Sequence, residues 1–165
     1  MLRRVLKLKK QTGLIDMSAP KRFQDENKLL SEFRIEVLVV CPRCEKKAVA
    51  KVSYQDEEAR LFCGNCGYNQ LKSTEVSVFG RKGNWQLAAN IDFGVDLWLK
   101  SSFKNDIFFA YNDEHLHYLE KYISADLREH KDRTHFTLLE KLPKFYHEAK
   151  NREALLKLIE KLKRK

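Results

Sequence analysis

Cys41-Pro42-Arg43-Cys44, followed after eighteen residues by Cys63-Gly64-Asn65-Cys66-Gly67, uses all four cysteines of the chain. Two C-x2-C pairs fit one tetrahedral metal site with none left over. In each pair a tight turn can bring both thiolates to one face, where backbone N–H groups point at the sulfurs. Gly64 and Gly67 are expected to supply permissive backbone for the second knuckle, and Pro42 to stiffen the first. Four thiolates in a closed set suit a redox-inert structural ion, so one structural Zn2+ held by Cys41, Cys44, Cys63 and Cys66 is expected.

Three other uses of these cysteines compete. A rubredoxin-like iron site takes the same ligands but belongs with small acidic electron-transfer domains. Two disulfides need an oxidising compartment and an exporting signal, and no such signal is visible. A thioredoxin-like pair would use one C-x-x-C beside a βαβ pattern, which the sequence lacks. The zinc reading therefore leads, with a reducing cytoplasm as the expected address.

The composition sets further bounds. With 165 residues, 43% hydrophobic and 11% aromatic, the chain has enough apolar material for a core. Lys and Arg number 32 against 23 Asp and Glu, giving +9 and a sequence pI near 9.4. That balance favours nucleic acid first and an anionic surface second, although a hydrated basic exterior would look the same. No apolar run approaches a membrane span. The cations gather at the two ends: residues 150–165 carry seven positive and two negative side chains, and residues 1–10 read MLRRVLKLKK. That leader reads as a basic arm, a weak targeting sequence, or an extension upstream of a natural start at Met17.

Outward from the knuckles, residues 33–40 alternate as a strand entering the first of them. Residues 48–54 and 60–62 form a hairpin with a knuckle at each open end. Its acidic tip, Asp56-Glu57-Glu58, is superficially like the magnesium-holding tip of transcript-cleavage factors, but charged hairpin tips are usually only hydrated. Residues 71–79 read as a third strand. Gly80-Arg81-Lys82-Gly83-Asn84 reads as a turn with two cations at its apex beside Trp85. Residues 85–100 continue in β alternation, and 106–111 give a further strand after a turn at Lys104-Asn105. A helix capped by Asn112 or Asp113 is expected to about residue 129. His115 and His117, two positions apart, point to different faces and share no metal. Residues 136–142 read as a short helix interrupted by Pro143, and Asn151 as the cap of a last helix with a Leu155, Ile159, Leu162 stripe.

Together these elements predict an α+β protein: a zinc ribbon extended into an antiparallel β-sheet, followed by two or three C-terminal α-helices. The regions are a basic lead-in at 1–32, ribbon and sheet at 33–111, and helices packed on the sheet at 112–165. CPRC…CGNCGY, Asp96-Leu97-Trp98-Leu99, residues 110–116 (AYNDEHL) leading to 122–129 (YISADLRE), and Leu142-Pro143-Lys144-Phe145 with 149–153 (AKNRE) carry a resemblance. Over about residues 33–163 the chain resembles a bacterial group of small proteins that contain a transcription factor IIB-type zinc ribbon. The resemblance implies the metal fold and the four cysteines as zinc ligands. It implies no promoter-factor role, since cyclin-like repeats do not fit in the remaining chain.

The expected function is non-catalytic: a zinc-stabilised module binding nucleic acid, or a ribonucleoprotein or polymerase complex, in transcription or translation. The candidate contacts are Arg81, Lys82, Trp85, Lys161, Lys163, Arg164 and Lys165, with the leader from Arg3 to Lys10. The alternatives are an adaptor docking a partner through its C-terminal helices and, more remotely, a transcript-cleavage-type factor. No base and nucleophile are paired in the sequence, so no enzyme is expected.

Overall fold

A computed structural model describes residues 20–84, 86–129 and 136–165, with the side chains of Val78 and Asn84 set aside. The leader and Trp85 lie outside the described residues. The first described elements are a short strand β1 (Arg22–Gln24) and a one-turn helix α1 (Leu30–Phe33). Phe33 thus closes a helix rather than opening a strand, and the strand into the first knuckle is β2 (Glu36–Val40). β3 (Lys47–Ser53), β4 (Glu58–Phe62) and β5 (Asn69–Ser73) follow, and β2 to β5 form a four-stranded antiparallel sheet in sequential order.

Alternation gives this sheet two unlike faces. Val37, Val39, Ala48, Ala50, Val52, Ala59 and Leu61 turn inward and are buried. Side chains this small admit a close layer, which is supplied by α2 (Ala89–Phe93) through Ala89 and Phe93, with Val95 and Leu97 beyond it. Here the strand expected over residues 85–100 is a helix. Gly94, left-handed at φ 65°, ends it, and its amide caps Ile91 O at 3.1 Å. The five-residue helix buries Ala89 and half-buries Phe93, whereas a strand alternating from Ile91 would bury Ile91, which is exposed.

The strand expected over 71–79 is two strands broken at buried Thr74. The second, β6 (Glu75–Val78), pairs with β7 (Arg81–Asn84) in a separate hairpin. β8 (Leu99–Phe103) and β9 (Asp106–Ala110) form the hairpin expected around Lys104-Asn105. The expected continuous sheet is therefore divided. No ladder joins β2 to β8 or β9 among the described residues; β2 meets the segments flanking that hairpin through Leu38 N to Tyr111 O at 2.7 Å, Trp98 N to Leu38 O at 2.9 Å and Val40 N to Asp96 O at 2.9 Å.

α3 (Asp113–Ser124) starts on the expected cap: the Asn112 Oδ1 accepts from the His115 amide at 2.9 Å. The Asn112 Nδ2 also donates to Phe33 O at 3.0 Å and Glu36 O at 2.9 Å, which ties α3 to the start of β2. The helix ends five residues short of expectation, because residues 127–129 are strand β10, paired in parallel with β1. The short helix expected over 136–142 is a single 3-10 turn, Leu139–Lys141, and Pro143 restarts another at Lys144–Tyr146. α4 (Arg152–Lys163) buries Leu155, Ile159 and Leu162 against α3 and β8, as its stripe requires. Asn151 precedes it without capping it by side chain. Instead Asn151 is buried, donating to Phe145 O at 3.0 Å and accepting from Lys104 Nζ at 2.5 Å.

A second core forms between α3, α4, β8 and β9, with Phe33, Phe108, Leu119, Leu155 and Ile159 at its centre. Residues of the lead-in belong to it: Phe23 is buried there, edge-on to Tyr118 and Tyr122 at 5.5 Å. Asp25, also buried, accepts hydrogen bonds from Tyr118 Oη at 2.7 Å and Thr137 Oγ1 at 3.0 Å.

His115 lies in this core, stacked on Phe33 at 4.8 Å, and its Nδ1 accepts from the Tyr111 amide at 3.2 Å. Its Nε2 is buried without a partner, and burial holds its pKa down at about 4. The unfolded chain takes up this proton near pH 6.5 and the folded chain only near 4. Between those values the unfolded state binds more protons, so stability falls as pH is lowered. Urea titrations should show wild type losing about 2 kcal/mol more than His115→Asn between pH 8 and pH 5. An equal loss in both proteins would exclude His115 as the source.

Candidate metal centre

Each knuckle is the same turn. After β2, the Cys41 amide donates to Lys46 O at 2.9 Å and the Glu45 amide to Cys41 O at 3.0 Å. After β4, Cys63 N donates to Tyr68 O at 2.8 Å and Gly67 N to Cys63 O at 2.9 Å. In both, the residue following the second cysteine is left-handed, Gly67 at φ 71° and Glu45 at φ 58°. Gly67 therefore supplies the expected freedom. Gly64, whose φ is not positive, does not, and the first knuckle places a non-glycine residue in that conformation.

The β3–β4 hairpin sets the knuckles side by side, and all four sulfurs lie within 4.8 Å of one another. Cys41 Sγ is 3.7 Å from Cys66 Sγ, and Cys44 Sγ is 3.6 Å from Cys63 Sγ. Disulfide bonding needs about 2.05 Å, so these are free thiols. A tetrahedron with metal–sulfur bonds of about 2.3 Å has edges of about 3.8 Å, which the two shorter separations match closely. Four thiols gathered in this way are compatible with a metal site.

Donors to sulfur are also in place. The Arg43 amide reaches Cys41 Sγ at 3.4 Å, and Asn65 Nδ2 reaches Cys44 Sγ at 3.6 Å. A hydrogen bond from the Lys46 backbone is the main cause holding Cys44 down at about 6, with Asn65 and the neighbouring thiols adding to it. Cys66 receives the equivalent bond from the Tyr68 backbone, yet desolvation and three adjacent sulfurs push it up to about 12. These opposite directions belong to the cluster as a whole. A negative charge settling on Cys44 opposes a second one on Cys66, and a bound cation would remove that opposition.

Among the described residues this is the one group of cysteines, histidines and acids that could hold a metal. His115 and His117 do not join in a second: His115 is buried, and His117 is exposed beside Glu120 at 3.4 Å. The acidic tip does not gather into a site either. Asp56 Oδ2 accepts from Ser53 Oγ at 2.6 Å, and Glu58 starts β4 opposite Ser53.

The expected nucleic-acid contacts are scattered and mostly engaged. The hairpin turn falls at Phe79-Gly80, with φ of 51° and 76°, so Arg81 and Lys82 lie on β7 rather than at an apex. Lys82 Nζ is 3.0 Å from Glu75, and Arg81 is exposed. Lys163 Nζ is held by Glu120 at 2.5 Å, and Lys165 Nζ donates to Trp98 O at 2.9 Å while lying 4.3 Å above its ring. Arg164 is 3.9 Å from Glu160, and Lys161 is exposed on the last turn of α4. Three of these four tail cations therefore have partners within the chain.

Sequence reading passed over the outer face of the four-stranded sheet. Phe62 is 45% exposed and Leu71 55% exposed, on the same face as the exposed Arg60 and Lys51. The signal was present in Glu58-Ala59-Arg60-Leu61-Phe62, where Ala59 and Leu61 take the buried phase and leave Phe62 in phase with Arg60.

Comparisons with protein-family models, with curated proteins and with solved structures find no match to this chain.

Gly67→Ala should lower stability by about 1 kcal/mol, because alanine must adopt a left-handed backbone there although no atom obstructs its methyl group. Gly64→Ala should be nearly neutral, and Glu45→Gly should stabilise the first knuckle by a similar amount to the Gly67 loss. Thermal denaturation of the three variants checks the order.

Proposed function

We propose that Cys41, Cys44, Cys63 and Cys66 hold one structural zinc ion. The chain is then a non-catalytic zinc-ribbon module that binds nucleic acid, or a polymerase or ribonucleoprotein complex, in the cytoplasm. The observation that carries the zinc reading is the convergence of four sulfurs within 4.8 Å of one another, with two pairs at 3.6 and 3.7 Å. Four thiolates close the coordination sphere and leave no position for a reacting water, which supports a structural rather than a catalytic ion. The resemblance to bacterial chains with a transcription factor IIB-type zinc ribbon belongs to the same proposal.

The net charge of +9 supports an acidic partner. An adaptor docking through its C-terminal helices has less support, since α4 turns Leu155, Ile159 and Leu162 into its own core. A transcript-cleavage role has least, because Asp56 is bonded to Ser53 and its neighbours do not converge with it. Among the described residues no helix is long and apolar enough to cross a membrane.

Elemental analysis of the purified chain should give one zinc per molecule. Chelation should abolish amide protection in β2 to β5 while α3 and α4 keep part of theirs, since the second core draws on other residues. For the partner, affinity for an oligonucleotide should fall with rising salt, with a log–log slope of several units between about 50 and 200 mM. Binding insensitive to salt, or none, would count against the nucleic-acid reading.

A further inference from the structure

The four-stranded sheet is covered on one face and bare on part of the other. On the outer face Leu38 and, in part, Val49 are taken into the α3–α4 core, but among the described residues the β4–β5 side has no layer over it. Register sets two ranks of residues there. Val49, Phe62 and Asn69 stand side by side nearest the knuckles, and Lys51, Arg60 and Leu71 form the next rank. A groove of ≈ 430 Å³ runs over Val49, Lys51, Arg60 and Phe62.

The chemistry of this surface is specific. Phe62 presents an aromatic ring, and the Arg60 guanidinium lies 5.6 Å from its centroid. Arg60 Nε donates to Asn69 Oδ1 at 2.9 Å, which fixes the plane beside the ring and leaves its terminal N–H groups for an anion. Lys51 is 3.3 Å from Glu36, but both side chains are more than half exposed, so the pair is weak and Lys51 can change partner. Glu36 and Glu58 are the acids on this face, against Lys47, Lys51 and Arg60.

We propose that this open face binds single-stranded nucleic acid, with a base stacked on Phe62 and phosphates held by Arg60 and Lys51. The inference rests on the nucleic-acid reading above and gives it a place and a strand state. A purely apolar protein partner would have to desolvate a guanidinium and an ammonium in the middle of its contact. A duplex keeps its base faces inside the stack, whereas a single strand offers them to an aromatic ring. The surface is also tied to the metal, since Phe62 directly precedes Cys63 and its strand is set by the second knuckle.

Fluorescence anisotropy with the zinc-loaded full chain tests this, using labelled oligothymidylate and oligouridylate of about 12 nucleotides and a duplex of the same length. The single strands should bind more tightly than the duplex. Phe62→Ala should weaken single-strand binding about tenfold without changing the salt slope, and Phe62→Trp should retain it. Arg60→Gln and Lys51→Gln should each lower the slope by about one. Zinc content and thermal midpoint verify that each variant is folded, and Arg60→Gln and Phe62→Trp keep the test decisive if Phe62→Ala is not. Wild-type binding that survives Phe62→Ala and Arg60→Gln, or a duplex bound as tightly as a single strand, overturns this site while the nucleic-acid reading stands. Absence of oligonucleotide binding at about 50 mM salt overturns both. A photo-crosslinker at position 62 that captures the same protein with and without prior nuclease treatment, and no oligonucleotide, overturns this site while the nucleic-acid reading stands.

Discussion

Cys41 and Cys63 are buried at one end of a sheet whose inner face is largely alanine and valine, and the sulfurs converge where that face ends. Such a face gains little from burial alone. A buried CH2 group is worth about 0.8 kcal/mol, so each alanine at positions 48, 50, 59 and 89 gives up most of what a leucine would supply. Structural zinc in a thiolate set contributes on the order of 10–16 kcal/mol of apparent binding energy to folding. A metal ion bound by the four thiols would therefore add a contribution comparable with that of the hydrophobic layer in this half of the molecule.

The other half is built differently. Phenylalanine, leucine and isoleucine side chains from α3, α4, β8 and β9 form a core that contains none of the four cysteines. The halves are joined by polar links with high geometric demands. Asn112 at the start of α3 bonds to Phe33 O and Glu36 O, and Leu38 on β2 exchanges backbone bonds with Trp98 and Tyr111. The sheet with its thiol cluster and the helical core share Leu38 and Val49 at their boundary, so the two apolar clusters are held as neighbours by packing as well as by these links.

Short-range signals in the sequence were reliable. The cysteine spacing, the β3–β4 hairpin, the Lys104-Asn105 turn, the Asn112 cap and the α4 stripe all depend on residues close along the chain, and each appears in the structure. Others were not, since Asn151 does not cap α4 by side chain and the β6–β7 turn falls at Phe79-Gly80 rather than at Arg81-Lys82; the larger misreadings involve tertiary choice. Residues 91–99 alternate like a strand, yet the alanine-lined inner face of the sheet accepts a short helix there, and Gly94 was the overlooked stop. Residues 127–129 continue a helical pattern but are drawn into β10 by β1, a partner no local pattern announces. For the site, the ligands were legible because thiolate spacing is a local signature. The outer face was not, because an exposed phenylalanine shows itself only once the phase of β4 is known.

The β1–β10 pair ties Lys21 to Asp126 across 105 positions of chain, through strands of only three residues each. Closing so long a loop carries an entropic cost that three residue pairs repay only when Phe23 and Asp25 already have neighbours to meet. Loop-closure entropy therefore makes this joint lean on α3, where Tyr118 packs edge-on against Phe23 and donates to Asp25.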